Sequence, residues 1–173
     1  MMNEPTMERL TSMRMSAMAE AWSEQARDPK IQSLSFDERF GMLVDAEWLS
    51  RYNKRSERAL RAAKLRLPSA SVEDIECRPA RGLDKSQIRQ LATCQWIEAS
   101  QNLIISGATG TGKTYIACAL GHRACTKGYR VVYRRAPRLL EELRLARASG
   151  DYGRELRKLS KVNLLIIDDW AIA

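Results

Sequence analysis

Metal-binding side chains are scarce in this sequence: one histidine, His122, and four cysteines, Cys77, Cys94, Cys118 and Cys125, none in a C-x-x-C pair. That scarcity argues against a zinc site, and thiols without a disulfide framework fit a reducing, cytoplasmic location. No apolar run approaches the length of a membrane span, and the Met-rich start carries Glu4 and Glu8, unlike a secretory signal. Internal repeats and low-complexity tracts are absent too. With 45% hydrophobic and 29% charged residues in 173, the chain has the means to pack a core, as one ordinary domain or a compact domain with a helical extension.

What is present in excess is positive charge, +8 overall and unevenly spread. Residues 101–173 carry 13 Lys/Arg against 6 Asp/Glu, whereas residues 1–100 are nearly balanced at 16 against 15. Inside that balanced part, Arg51, Lys54, Arg55, Arg58, Arg61, Lys64 and Arg66 face only Glu57. Such a run favours a polyanion, nucleic acid before membrane; a plain solvated helix face is the competing reading.

The chemistry concentrates in Gly107, Ala108, Thr109, Gly110, Thr111, Gly112, Lys113 and Thr114, which fit G-x-x-x-x-G-K-[ST] at every fixed position. The glycines let several amides turn inward around phosphate. Lys113 adds a point charge for the β- and γ-phosphates, and the Thr114 hydroxyl suits Mg²⁺. The apolar run Asn102 to Ser106 before the loop predicts a short buried strand, and Tyr115 to Leu120 after it predicts a helix. A second signal ends the chain. Leu164, Leu165, Ile166 and Ile167 predict a buried strand that presents Asp168 at its C-terminal end, where ligands bind in parallel α/β sheets. Asp168 is then the Mg²⁺-side carboxylate, and Asp169 the candidate that polarises the attacking water.

Around these signals the pattern predicts a first helix from about Met7 to Gln25, stopped by Asp28-Pro29. A capping box at Ser35 and Glu38 opens a helix of about thirty residues with no breaker before Pro68. Its first half carries Phe36, Phe40, Leu43, Val44 and Trp48 as one face built to pack. At 100° per residue, Arg51, Lys54, Arg55, Arg58 and Arg66 fall in one stripe on its second half, suited to meet DNA phosphates. Pro68 to Asp84 reads as a connector with Pro79 and Gly82, and Asp84 caps a short helix with Ile88 and Leu91. Trp96 and Ile97 fit either a place beside the adenine or the core. Beyond the loop helix, which Gly128 stops, come a strand over Tyr129 to Arg134 and a helix from Pro137 to about Ala148. A short helix from Asp151 to Ser160 follows. Cys118 and Cys125 are expected as small buried side chains, and His122 as structural.

With these residues in place, the chain resembles the IstB-type transposition ATPases, AAA+ helper proteins of insertion sequences related to the DnaC helicase loaders. The likeness runs through Leu34 to Arg39, Leu43 to Trp48, Leu65 to Pro68, Arg81 to Asp84, the phosphate loop, Ala117 to His122, Pro137 to Leu143 and Leu164 to Trp170. It implies an α/β P-loop NTPase core with a parallel sheet, preceded by a helical N-terminal region, and an ATPase using ATP and Mg²⁺. It also implies self-assembly on duplex DNA without sequence preference, a transposase as partner, and DNA contacts from the long basic helix. The expected division is 1–67 for DNA or partner binding, 68–100 as connector and 101–173 as ATPase core. By the same resemblance, Asp169 stands where many relatives carry a catalytic glutamate one methylene longer, and Ala171 where glycine is expected. Such proteins continue past the second acidic motif, with a strand inserted between the loop strand and the acidic strand. The expectation is therefore a truncated copy with an incomplete sheet and weakened turnover. Two alternatives stay open: a helicase loader, and a non-hydrolysing remnant that binds DNA or a partner through residues 1–100.

Overall fold

The structure, a computed structural model, describes residues 4–77 and 82–170. The expectations placed on Pro79, Arg81 and Ala171 fall outside those residues. The chain packs as two compact units, Met1–Arg55 and Ser56–Ala173, and the boundary falls inside a helix.

In the first unit, the single helix expected over residues 7–25 is two: α1 (Glu4–Ser12) and α2 (Ser16–Gln25). No glycine or proline marks the break. Arg14 takes a left-handed φ of 59°, and the amides of Arg14 and Met15 close back onto Thr11 and Leu10 carbonyls, ending α1 as a glycine would. The start of α2 has no side-chain cap of its own. Its Met18 amide instead donates to Glu47 Oε2 at 3.1 Å, a cap supplied from 29 residues away. Asp28 caps the short α3 (Pro29–Gln32) through the Lys30 amide. Ser35 and Glu38 exchange the expected capping-box bonds, and α4 (Phe36–Ala63) follows.

Two expectations about α4 need correction. Of the expected packing face only Leu43 is half-buried; Phe36, Phe40, Val44 and Trp48 are exposed, Phe36 at 69% and Trp48 at 63%, and the rings stack along the helix itself, Phe36 on Phe40 and Trp48 on Tyr52. The buried position on this part of the helix is Glu47, whose carboxylate accepts from the Met18 amide. The helix also stops at Ala63, where Lys64 turns left-handed (φ 52°), so Arg66 lies beyond it in a turn.

The second unit is built around α7 (Lys113–Thr126), whose Cys118, Ala119, Ala124 and Cys125 are buried with Ala63, Leu65 and Ala70. The rest of that core comes from the sheet. β1 (Val131–Arg135) and β2 (Leu164–Asp168) pair in parallel, Val131 opposite Leu164 through Arg135 opposite Asp168. Val131 and Tyr133, then Ile166, alternate toward α7. Gly121 makes the approach possible: a Cβ there would stand 2.6 Å from Ile166 Cδ1 and 3.1 Å from Leu65 Cδ2. Between the strands run α8 (Ala136–Ala148) and α9 (Tyr152–Leu159). Before α7, Asp84 caps α5 (Lys85–Ala92), and α6 (Gln95–Glu98) follows. Ile97 packs on the buried cluster, and half-buried Trp96 donates from Nε1 to Leu91 O at 2.9 Å.

The strand expected over residues 102–106 is absent from the sheet. That segment makes no backbone hydrogen bond with any described residue, and Ile104 is 88% exposed. Apolar sequence alone does not make a strand; it needs a neighbour to pair with, and the β1–β2 ladder lies elsewhere. Among the described residues, no helix is long and apolar enough to cross a membrane.

Candidate nucleotide-binding site

The loop 107–112 delivers the chain to the N-terminus of α7. Gly110 and Gly112 have φ of 81° and 88°, a region that side chains with a Cβ rarely enter. Gly112 caps α7 without a side-chain bond, so the first-turn amides keep the positive end of the helix open to an anion. Thr111 Oγ1 donates to Ala108 O at 2.8 Å and holds the loop in shape. Thr109 is exposed at its tip. Lys113 Nζ donates to Gly107 O and Ala108 O, each at 2.8 Å, so its charge stands over the loop rather than beside a carboxylate.

Across from the loop, β2 ends in the two acids. Thr114 Oγ1 donates to Asp168 Oδ2 at 2.8 Å, joining residues 54 apart in sequence. Tyr133 Oη donates to the same oxygen at 2.6 Å. Burial pushes the Asp168 carboxyl up. The Tyr133 and Thr114 hydroxyls, the Asp169 amide and the charge of Arg66 outweigh that and hold it below its ordinary value. Burial first, and then the bond to Asp168, push the Tyr133 phenol up, so it stays a donor.

Asp169 turns out of the strand in a left-handed conformation, φ 56°, which aspartate tolerates better than most residues. Arg135 Nε donates to its Oδ2, and Arg66 Nη1 lies 3.8 Å from that oxygen and 4.0 Å from Asp168 Oδ2. Arg66, read from sequence as part of a DNA stripe, thus stands at the acids. Tyr133 and Arg135 escaped the sequence reading. Their signal was the i, i+2 spacing on a strand parallel to the acidic one, which places both on one face at its C-terminal end.

The other basic candidates are carried by α4. Arg51 Nε pairs with Glu47 at 2.7 Å and its Nη2 donates to Arg14 O at 3.2 Å. Lys54, Arg55 and Arg58 are exposed on α4 and form no ion pair with a described residue.

The residues suit a magnesium nucleotide. An uncapped helix start, a loop lysine and a hydroxyl–carboxylate pair 2.8 Å apart are the donor set such a group uses. Among the described residues no cluster of three His, Cys, Asp or Glu is placed to hold a metal ion.

Comparison with known proteins bears on the same point. The sequence profile described as "IstB-like ATP binding protein" matches residues 8–173. A protein of Pseudomonas fluorescens named for ATP binding and insertion sequence IS1162 is 49% identical over 173 residues, 100% of this chain and 75% of that protein. One of Sinorhizobium fredii, named for ATP binding in an insertion sequence, is 43% identical over 99% of this chain and 70% of its own length. One named for ATP binding and insertion sequence IS21, of Pseudomonas aeruginosa, is 31% identical over 96% of this chain and 61% of its own.

Proposed function

Because this chain belongs to the IstB-like ATP binding proteins of insertion sequences, we propose that Gly107 to Thr114 and Asp168 form one Mg·ATP site, and that the protein is an ATPase helping a transposase act on duplex DNA. The observation that carries the reading is the Thr114–Asp168 hydrogen bond, which brings the two chemical segments to one point.

In this reading the loop amides and the α7 N-terminus receive the phosphate oxygens, and Lys113 exchanges its loop carbonyls for them. Thr114 and Asp168 are the protein's ligands on the metal side. Mg²⁺, when bound, would neutralise charge on the β- and γ-phosphates. Asp169 is the acceptor available to orient a water, and its bonds to Arg135 and Arg66 have to loosen before it does so. Residues 101–173 are the nucleotide part, 68–100 connect, and 1–67 face DNA or partners, with Lys54, Arg55 and Arg58 the phosphate-contacting candidates. Self-assembly and a cytoplasmic location belong to the same proposal.

Fluorescent-ATP anisotropy with and without Mg²⁺ tests it. Lys113→Ala should weaken binding at least about tenfold, roughly 1.4 kcal/mol. Asp168→Ala should remove the Mg²⁺-dependent part alone. Wild-type protein that binds no ATP at millimolar concentration, or Lys113→Ala binding as well as wild type, overturns the proposal.

A further inference from the structure

Resting on that reading of the site, we propose that Tyr133 is a positioning residue for the metal-side carboxylate: its phenol holds Asp168 in the orientation in which the carboxylate meets Mg²⁺. Two hydroxyls converge on Asp168 Oδ2, Thr114 at 2.8 Å and Tyr133 at 2.6 Å. They are not equivalent. Thr114 is itself a candidate ligand, so its hydroxyl is drawn toward the metal. Tyr133 is not a candidate ligand, so its bond to Asp168 does not compete with the metal; Arg66 is the other group beside its phenol.

The geometry fits a dedicated brace. Tyr133 lies opposite Ile166, two residues short of Asp168 on the same face of the ladder. Two strand residues span about 6.6 Å. A phenol bridges that gap, whereas a serine or threonine hydroxyl at 133 falls short. Tyr133 is also 6% exposed and packed in the core with Val131, Cys118 and Ile166, so the ring has little freedom to swing. Its hydroxyl is thereby fixed by the core rather than by water. Partners of this kind, bonded to a ligand without touching the metal, set ligand orientation and cost about 10–100-fold in metal affinity when removed.

The test is Tyr133→Phe, which keeps the buried ring and deletes only the donor. Tyr129→Phe is the control, since that exposed phenol bonds to Glu98 instead. Fluorescent-ATP anisotropy is followed while Mg²⁺ is titrated, with Mn²⁺ titration read by its paramagnetic resonance as a direct measure of metal uptake. Thermal melts establish that both variants fold. The expected result is that Tyr133→Phe needs about tenfold more of either ion for half-maximal effect. Its metal-free ATP binding should equal wild type, and Tyr129→Phe should match wild type throughout. An unchanged ion requirement in Tyr133→Phe overturns the inference. So does an equal loss of metal-free binding, which would make Tyr133 a structural residue only. If wild type binds ATP with no metal dependence at all, the metal-side assignment of Asp168 itself falls, a result distinct from failure of the brace.

Discussion

Arg135 and Asp169 meet at the C-terminal rim of the sheet, the Arg135 Nε donating to Asp169 Oδ2, and Arg66 stands 3.8 Å from the same oxygen. Two guanidinium groups from different parts of the chain therefore share one carboxylate.

Sharing makes the two arginines substitutes for one another. Arg135→Ala or Arg66→Ala alone should shift the thermal midpoint little, because the remaining cation still pairs with Asp169. The double variant should lose more than the sum of the two, and the excess should shrink at 1 M salt, where the Debye length is about 3 Å. Strictly additive midpoints would show that the acid is not shared.

Gly121 should tolerate a small side chain and reject a branched one. Gly121→Ala adds a Cβ against the far end of Ile166, which can turn away, and it gains helix propensity of up to about 1 kcal/mol. Its net effect should lie within about 1 kcal/mol of zero. Gly121→Val should cost about 1–3 kcal/mol by denaturant unfolding. Placing Gly121→Ala in an Ile166→Val background, which removes the Cδ1 in its way, should make it more favourable than in wild type.

The cysteines give a pH dependence. Burial pushes the Cys94 and Cys118 thiols up, and Cys125 to about 11. A thiol raised in the folded state keeps its proton there while the unfolded chain loses it near 8.5. Stability from Cys125 is thus whole below about pH 8.5 and falls as pH climbs toward about 11. Denaturation midpoints should decline over that window. At pH 8, a thiol reagent should label half-buried Cys77 first and the three buried thiols only at the rate of unfolding.

For DNA, the α4 cations divide by what else they do. Arg55→Ala and Arg58→Ala should each lower affinity for a duplex of any sequence and flatten the slope of log K against log salt by about 1. Arg51→Ala should also lower the melting temperature. The hydrogen bond from Arg51 is the main reason that the Glu47 carboxyl sits below its ordinary value, and Glu47 caps α2. Unchanged affinity and slope in Arg55→Ala and Arg58→Ala would return these residues to ordinary solvated surface.

The parts legible in sequence were those written in adjacent residues. The glycine turn leading into α7, the capping box at Ser35 and Glu38, the Asp84 cap and the Ile166–Asp168 strand end could all be read, because each is a local pattern with a local cause. What stayed hidden depends on residues far apart. Glu47 capping α2 needs the helix pairing first, and with it goes the reason that one side of α4 is buried and the aromatic side is not. The break at Arg14 carries no glycine to announce it. Tyr133 and Arg135 became candidate site residues only through the register of two strands separated by the helices α8 and α9. Arg66 is off the helical stripe because helical geometry does not extend past Lys64, where the backbone turns left-handed.

The apolar stretch 102–106 has a practical corollary. Main-chain donors and acceptors with no ladder, next to Leu103 and Ile104 in solvent, are a docking strip for any similar strand that drifts past. Concentrated samples should therefore knit together through it, and Ile104→Lys should keep the molecules apart in light scattering while leaving the melting curve in place.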